Sequence, residues 1–324
     1  MTTSAPPPLE KPTVASKPAA KRPPSSPVAA ILLYLIIVFI GAAVIAPHLY
    51  ATAQFLLGIS HRFSFLADPP FHRFVNRCLI LFAILGLPSL FRELGLKNSS
   101  VLGFKFNSRH CLESLHGFLW AFVTLAILAT LFAGFEARTL GLKPESARWL
   151  QHFKNAALSA AVVGILEEVL FRGALFGVLR QRQSFLRAAL YSSMLYALLH
   201  FLDRPEHTGR VHSTSGFIVL AQMLRGFTDF STMIPAFLNL TLIGVLLALV
   251  FERTGSLLYS IGLHAGLVFF LKTLNFVTIP TANASTWFWG TNKIVDGWAA
   301  TLVLVITFLL VQRTVPPRLK TIAP

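Results

Sequence analysis

At 324 residues, with 54% hydrophobic and only 13% charged residues and a mean hydropathy of +0.65, the chain is too apolar for a soluble domain and belongs in a bilayer. Its net charge of +15 does not point to nucleic acid, because the basic residues sit mainly in short loops and tails flanking apolar runs, as topology signals do. Two cysteines far apart in sequence, Cys78 and Cys111, exclude a disulfide framework or thiolate cluster and read as small apolar fillers.

Residues 1–27 are rich in Pro, Ser, Ala and Lys and lack the apolar content to offset the cost of ordering, so they are expected to form a disordered cytoplasmic tail. The apolar run from Val28 to Ala46 follows Lys21 and Arg22 and is too long and too late for a cleaved signal peptide, so it reads as a retained first span. Further runs near 74–91, 113–134, 156–179, 185–202, 233–251, 256–275 and 297–312 bring the expected count to eight transmembrane helices in an all-α polytopic bundle.

Basic residues then mark one side. Arg92, Lys97, Lys105 and Arg109, then Arg180, Arg182 and Arg187, then Arg253, and last Arg313, Arg318 and Lys320 fall in every loop expected inside, with both termini cytoplasmic and the protein in the cell membrane. The segments expected outside, 135–155 and 203–232, also hold Arg and Lys, balanced by Glu136, Glu145, Asp203, Glu206 and Asp229. Within the second, Gly216 to Leu224 is apolar but too short to span, so it is expected to lie at the interface or to dip in as a re-entrant piece, a position suited to a lid or gate. Trp287, Trp289 and Trp298 read as interfacial anchors.

Nearly all 13 acidic residues fall in tails, loops or span ends. Glu167 and Glu168 do not; they adjoin in an apolar helix, where each charged carboxylate costs ~2.5 to 3.5 kcal/mol on the lenient insertion scale. Glu168 and Arg172, four apart, share a helix face and can pair, while Glu167 is turned away by ~100°. Without a local partner, Glu167 is suited to take a proton from water and hand it to a leaving amine.

Two histidines, His200 and His264, lie in other apolar spans, where either alone is more often a satisfied core residue. One carboxylate with two imidazoles is the ligand complement of a catalytic zinc with an open position. It equally suits a metal-free site whose histidines polarise a carbonyl. Spacing leaves both readings open. Gly173 and Gly177 form a GxxxG that suits close helix approach, and His207 and His212 read as solvated loop residues. There is no HExxH helix and no GxSG-like or GxGD-like run in a span.

Glu167-Glu168-Val-Leu-Phe-Arg172 resembles the EExxxR motif of the CAAX-processing and bacteriocin-immunity (CPBP, or ABI) family of intramembrane proteases. Tyr196-Ala-Leu-Leu-His200 resembles its FxxxH motif with Tyr for Phe, and the run from Arg253 to His264-Ala is similar to its closing segment. The resemblance covers about residues 155–275. It divides the chain into the tail, N-terminal transmembrane helices over 28–154, a catalytic core over 155–275, and a last helix with a basic tail over 276–324.

The resemblance implies an endopeptidase acting on membrane-associated peptides or proteins in contact with membrane lipid, with no nucleic-acid partner. Glu167 would activate water, Glu168 and Arg172 would support it, and His200 and His264 would bind or polarise the peptide carbonyl. In a metalloprotease version, Glu167, His200 and His264 would hold Zn2+. The family usually has Asn or Asp four residues after the last histidine, where this chain has Val268; Asn239 is the candidate substitute donor. The rival readings are a non-catalytic scaffold or immunity protein that keeps the cluster for packing, and a proton-coupled transporter using Glu167. The absence of an internal repeat speaks against transport.

Overall fold

A chain in hydrocarbon must satisfy its backbone N–H and C=O groups within its own segments, and the apolar runs accordingly fold as helices. The computed structural model describes residues 26–60, 70–96, 103–104, 108–141, 146–203, 205–228 and 230–317. Almost all of the tail expected over 1–27 lies outside them, as do Lys97, Lys105, Arg318 and Lys320.

The elements in chain order are α1 (Pro27–Ile59), α2 (Phe71–Glu93), α3 (Ser108–Gly134), β1 (Arg138–Leu140), α4 (Ser146–Glu168), α5 (Phe185–Leu199), α6 (Ser215–Met223), α7 (Phe230–Thr254), α8 (Leu257–Val277), β2 (Thr278–Pro280), α9 (Thr286–Trp289) and α10 (Trp298–Thr314). α4 continues without a break through a π-helical segment, Val169–Phe176, into a last α-turn, Gly177–Arg180, and a 3-10 turn, Leu224–Phe227, extends α6. The architecture is all-α; the two strands, three residues each, form an antiparallel pair with Arg138 opposite Pro280.

Among the described residues, five helices are long and apolar enough to cross a membrane, namely α1, α2, α3, α7 from Met233 onward, and α8. The chain is a multi-pass membrane protein. The expected count of eight is not reached by length and composition. α5 and α10 are apolar but have 15 and 17 residues, short of the ~20 needed to span, and α4 carries Glu167 and Glu168 at its end.

Of the five, α7 is the most enclosed, with 67% of its apolar window buried against 33% for α1 and 22% for α2. It is the central helix, and α1 and α2 lie at the periphery, where Leu33, Ile37 and Leu85 expose apolar surface to the surroundings. Glycines set the closest helix contacts. A Cβ at Gly262 of α8 would lie 2.0 Å from the Ser114 carbonyl of α3, and one at Gly117 would lie 2.4 Å from the Tyr259 carbonyl, so α3 and α8 touch backbone to backbone. The expected GxxxG contact is different. A Cβ at Gly177 would meet only its own helix, the Arg172 carbonyl at 3.5 Å, an ordinary van der Waals separation.

Within segment 203–232, Ser215–Met223 form α6 and Leu224–Phe227 its 3-10 turn, and the segment runs into the start of α7. Val219 packs with Ala42 and Ala46 of α1 and with Phe71 and Phe74 of α2, and Gly216 sits so close that a Cβ would lie 2.0 Å from the Ala43 carbonyl. Cys78 is buried, as a filler should be, but Cys111 is exposed. Trp287 is exposed and pairs with Trp298 at 5.9 Å, whereas Trp289 packs into an aromatic group with Phe132, Phe135 and Phe288.

Candidate active site

Glu167 and Glu168 end the α-helical part of α4, and Arg172 lies in the π-helical segment that follows. π-helical turns are rare, occur mostly inside α-helices and are frequently found at functional sites. The four-residue spacing brings Arg172 Nη1 to 2.8 Å from Glu168 Oε1, with Glu168 wholly buried and Arg172 1% exposed. Arg172 Nη2 donates to the Gly244 carbonyl of α7 at 3.3 Å, and the guanidinium lies 4.8 Å over the Tyr196 ring of α5. One cation thus ties three helices together, in cation–π contact with the ring.

Glu168 Oε1 has a second partner, His264 Nδ1 of α8, at 2.8 Å. An ionised carboxylate only accepts, so Nδ1 carries the hydrogen and Nε2 is turned to the other side. His200, at the C-cap of α5, is held in the same way, its Nδ1–H donating to the Tyr196 carbonyl at 3.0 Å. Both free edges point at one atom. His200 Nε2 is 3.8 Å and His264 Nε2 is 3.7 Å from Glu167 Oε2, too far for direct hydrogen bonds and near enough for one shared small group.

The cluster is accessible from one side. The Glu167 and His200 side chains are 25% and 32% exposed, against 3% for His264. They border a groove of about 310 Å3 whose walls include Tyr34 and Val38 of α1, Leu79 of α2, and Leu170 and Phe171 of the π-helical segment. Its apolar walls suit an apolar ligand held beside the carboxylate.

The structure thus gathers Glu167, Glu168, Arg172, His200 and His264 from three elements of the fold. It does not bring Asn239 to them as a free donor. That side chain is buried and spent: Nδ2 donates to the Val295 and Gly297 carbonyls at 2.8 and 2.9 Å, and Oδ1 accepts from Thr301 at 2.7 Å. Both of its N–H bonds serve the junction of α7 with α10, which removes it as the substitute donor for Val268. His207 stays in its loop, edge-on to Phe71 at 5.4 Å and 3.4 Å from the Arg210 carbonyl.

Tyr196, which the sequence motif presents only as Tyr in place of Phe, is part of the cluster. The Tyr196 ring lies 4.3 Å from the His200 ring, 5.9 Å from that of His264 and 5.3 Å from Phe171, besides its contact with Arg172. Its spacing of four from His200 on one helix was the signal that could have found it.

A zinc ion would need three ligand atoms ~2.0 to 2.2 Å from one centre. Among the described residues no group of three His, Cys, Asp or Glu side chains is disposed to hold a metal ion. As arranged, Glu167, His200 and His264 do not form the ligand set expected of a metalloprotease.

Fold and site together define a multi-pass membrane protein with a Glu–Glu–Arg–His–His cluster that is buried at Glu168, Arg172 and His264 and opens at Glu167 and His200 on an apolar groove. Residues 149–270 match the family model for type II CAAX prenyl endopeptidase Rce1-like proteins. The segment carrying all five side chains is therefore similar to that family, which is the CPBP family that the motifs resemble. No curated protein and no solved structure matches the chain.

Proposed function

We propose that this protein is an intramembrane endopeptidase in which Glu167 activates the attacking water. The observation that carries this reading is the approach of two imidazole Nε2 atoms, on different helices, to within 3.7 and 3.8 Å of one carboxylate oxygen. A water bonded to Glu167 Oε2 loses a proton to it as the water oxygen attacks the peptide carbonyl carbon. When protonated, His200 and His264 carry a second N–H, at Nε2, which donates to the carbonyl oxygen as negative charge develops there. Glu167 then passes its proton to the departing amine, leaving a carboxylate and an amine as products. Glu168 and Arg172 act through others, fixing the His264 ring and the turn that bears Glu167.

The family description supports prenylated C-terminal peptides as the substrate class. The apolar walls of the groove beside Glu167 and His200 suit a substrate whose lipid lies close to the scissile bond. The catalytic unit in this reading is 155–275, and both termini face the cytoplasm across the cell membrane. Labelling of cysteines engineered into the two tails tests the topology; tails on opposite faces would overturn it.

The function is tested by cleavage of a fluorescent prenylated peptide by the purified protein in nanodiscs, before and after exhaustive chelation. Turnover is expected in both samples and is expected to be lost in Glu167→Gln. Wild-type turnover in Glu167→Gln refutes the reading, and activity that chelation abolishes and zinc restores reassigns Glu167, His200 and His264 as ligands.

A further inference from the structure

A second cavity, larger than the groove at Glu167, shares no residue with it. It is a groove of about 1000 Å3 between the first half of α3, the junction of α7 with α8, and the end of α10. Its two long walls are graded in the same direction. On α3 the lining runs from Arg109, Glu113 and His116 to Trp120 and Val123; on α10 it runs from Thr314 and the prolines beyond it to Leu310. At 1.5 Å per residue, Arg109 and Val123 are ~21 Å apart along the helix. The polar rim takes up the stretch from Arg109 to His116, which leaves an apolar stretch of ~10 Å from His116 to Val123, within the ~15 Å depth of one leaflet of hydrocarbon.

The rim carries two arginines against one carboxylate, and one of the arginines is held in place. Arg253 closes the α7 side, its Nη1 donating to the Gln312 and Val315 carbonyls at the end of α10, which fixes the guanidinium at the wall. Arg109 Nε bonds to Glu113 Oε1 at 3.2 Å while its side chain stays 84% exposed. Glu113 is the one carboxylate lining the groove, against two arginines and two histidines, His110 and His116. Below the rim, Leu119, Val123 and Leu310 are 48%, 41% and 38% exposed.

We infer that this groove is a binding site for an anionic phospholipid, its phosphate at Arg109 and Arg253 and one acyl chain along Val123 and Leu310. A phospholipid in that leaflet presents the same order of charge and hydrocarbon, and basic groups at the rim favour an anionic headgroup over a zwitterionic one. Occupancy bears on the fold, since the groove wall α3 is the helix that α8, the carrier of His264, touches backbone to backbone.

The test reads lipid, not cleavage, and so stands apart from the protease reading. The full chain is purified, exchanged into phosphatidylcholine nanodiscs with or without phosphatidylglycerol, and examined by native mass spectrometry after release. Retention of about one phosphatidylglycerol, preferred about fivefold to tenfold over phosphatidylcholine, is expected. The Arg109→Gln/His116→Gln double variant loses the preference, and Val123→Trp, which fills the apolar end, lowers retention of both lipids. Leu85→Trp, on the outer surface of α2, changes neither. Equal retention of both lipids by the wild type overturns the proposal, as does an unchanged preference in the folded double variant. Release of a monomer from a dimer by Val123→Trp also overturns it, because a second copy of the chain would then be the occupant.

Discussion

Glu168 Oε1 lies 2.8 Å from His264 Nδ1, a contact that joins positions 96 residues apart and ends with neither side chain more than 3% exposed. Together with Arg172 at the same oxygen, it makes Glu168 the fixed member of the glutamate pair and Glu167 the accessible one.

The two carboxylates should therefore respond differently to the same change. Glu168→Gln leaves the buried Arg172 guanidinium without its counter-charge and is expected to cost ~3 to 5 kcal/mol of stability. Glu167→Gln should remain folded and lose ~10² to 10⁴ in turnover, the usual worth of a positioned proton-transfer group. Thermal denaturation and peptide turnover of both variants, in one membrane mimetic, decide the matter. A stable, inactive Glu168→Gln beside an unstable, active Glu167→Gln would show that the roles are reversed.

Tyr196 should matter as a ring more than as a phenol. Tyr196→Phe keeps the faces that meet Arg172, His200 and His264 and is expected to retain most of the stability and turnover. Tyr196→Ala removes a fully buried aromatic side chain and should cost ~3 to 5 kcal/mol, with a further fall in turnover per folded molecule as the His200 ring loses its neighbour. Equal losses in both variants would assign the effect to the hydroxyl instead.

Asn239 should prove to be a stability residue. Its replacement by Leu deprives two carbonyls and the Thr301 hydroxyl of partners in a buried place, at a cost of ~1 to 3 kcal/mol for each group left unsatisfied. Turnover per folded molecule, counted by active-site titration or by the folded fraction, should be nearly unchanged. A large fall in that quantity with no loss of stability would return Asn239 to the reaction.

The glycines offer a contrast within one experiment. Gly262→Ala sets a methyl group against the Ser114 carbonyl and should push α8 from α3, costing ~1 to 3 kcal/mol as overpacking does and displacing His264. Gly177→Ala meets nothing closer than 3.5 Å and should be neutral or stabilising by up to ~1 kcal/mol, the helix-propensity difference. Melting temperatures and turnover of the two variants give the comparison, and equal destabilisation by both would refute it.

The sequence by itself determined that this is a helical membrane protein, because long apolar runs have one stable secondary structure in hydrocarbon. It also determined the Glu168–Arg172 pair, since helix geometry makes neighbours of residues four apart, and it singled out Glu167, His200 and His264 as polar side chains costly to bury. Tertiary structure alone decided which histidine nitrogen meets which carboxylate. Glu168 and His264 are brought together by the packing of α4 against α8, and no local period encodes that contact. Packing likewise decided that Asn239 serves the α10 junction, and that Gly262 and Gly117 make a close contact between α3 and α8 while Gly177 meets no other helix. Each of these depends on which faces of separate helices meet, and one helix's residue pattern states only which faces can.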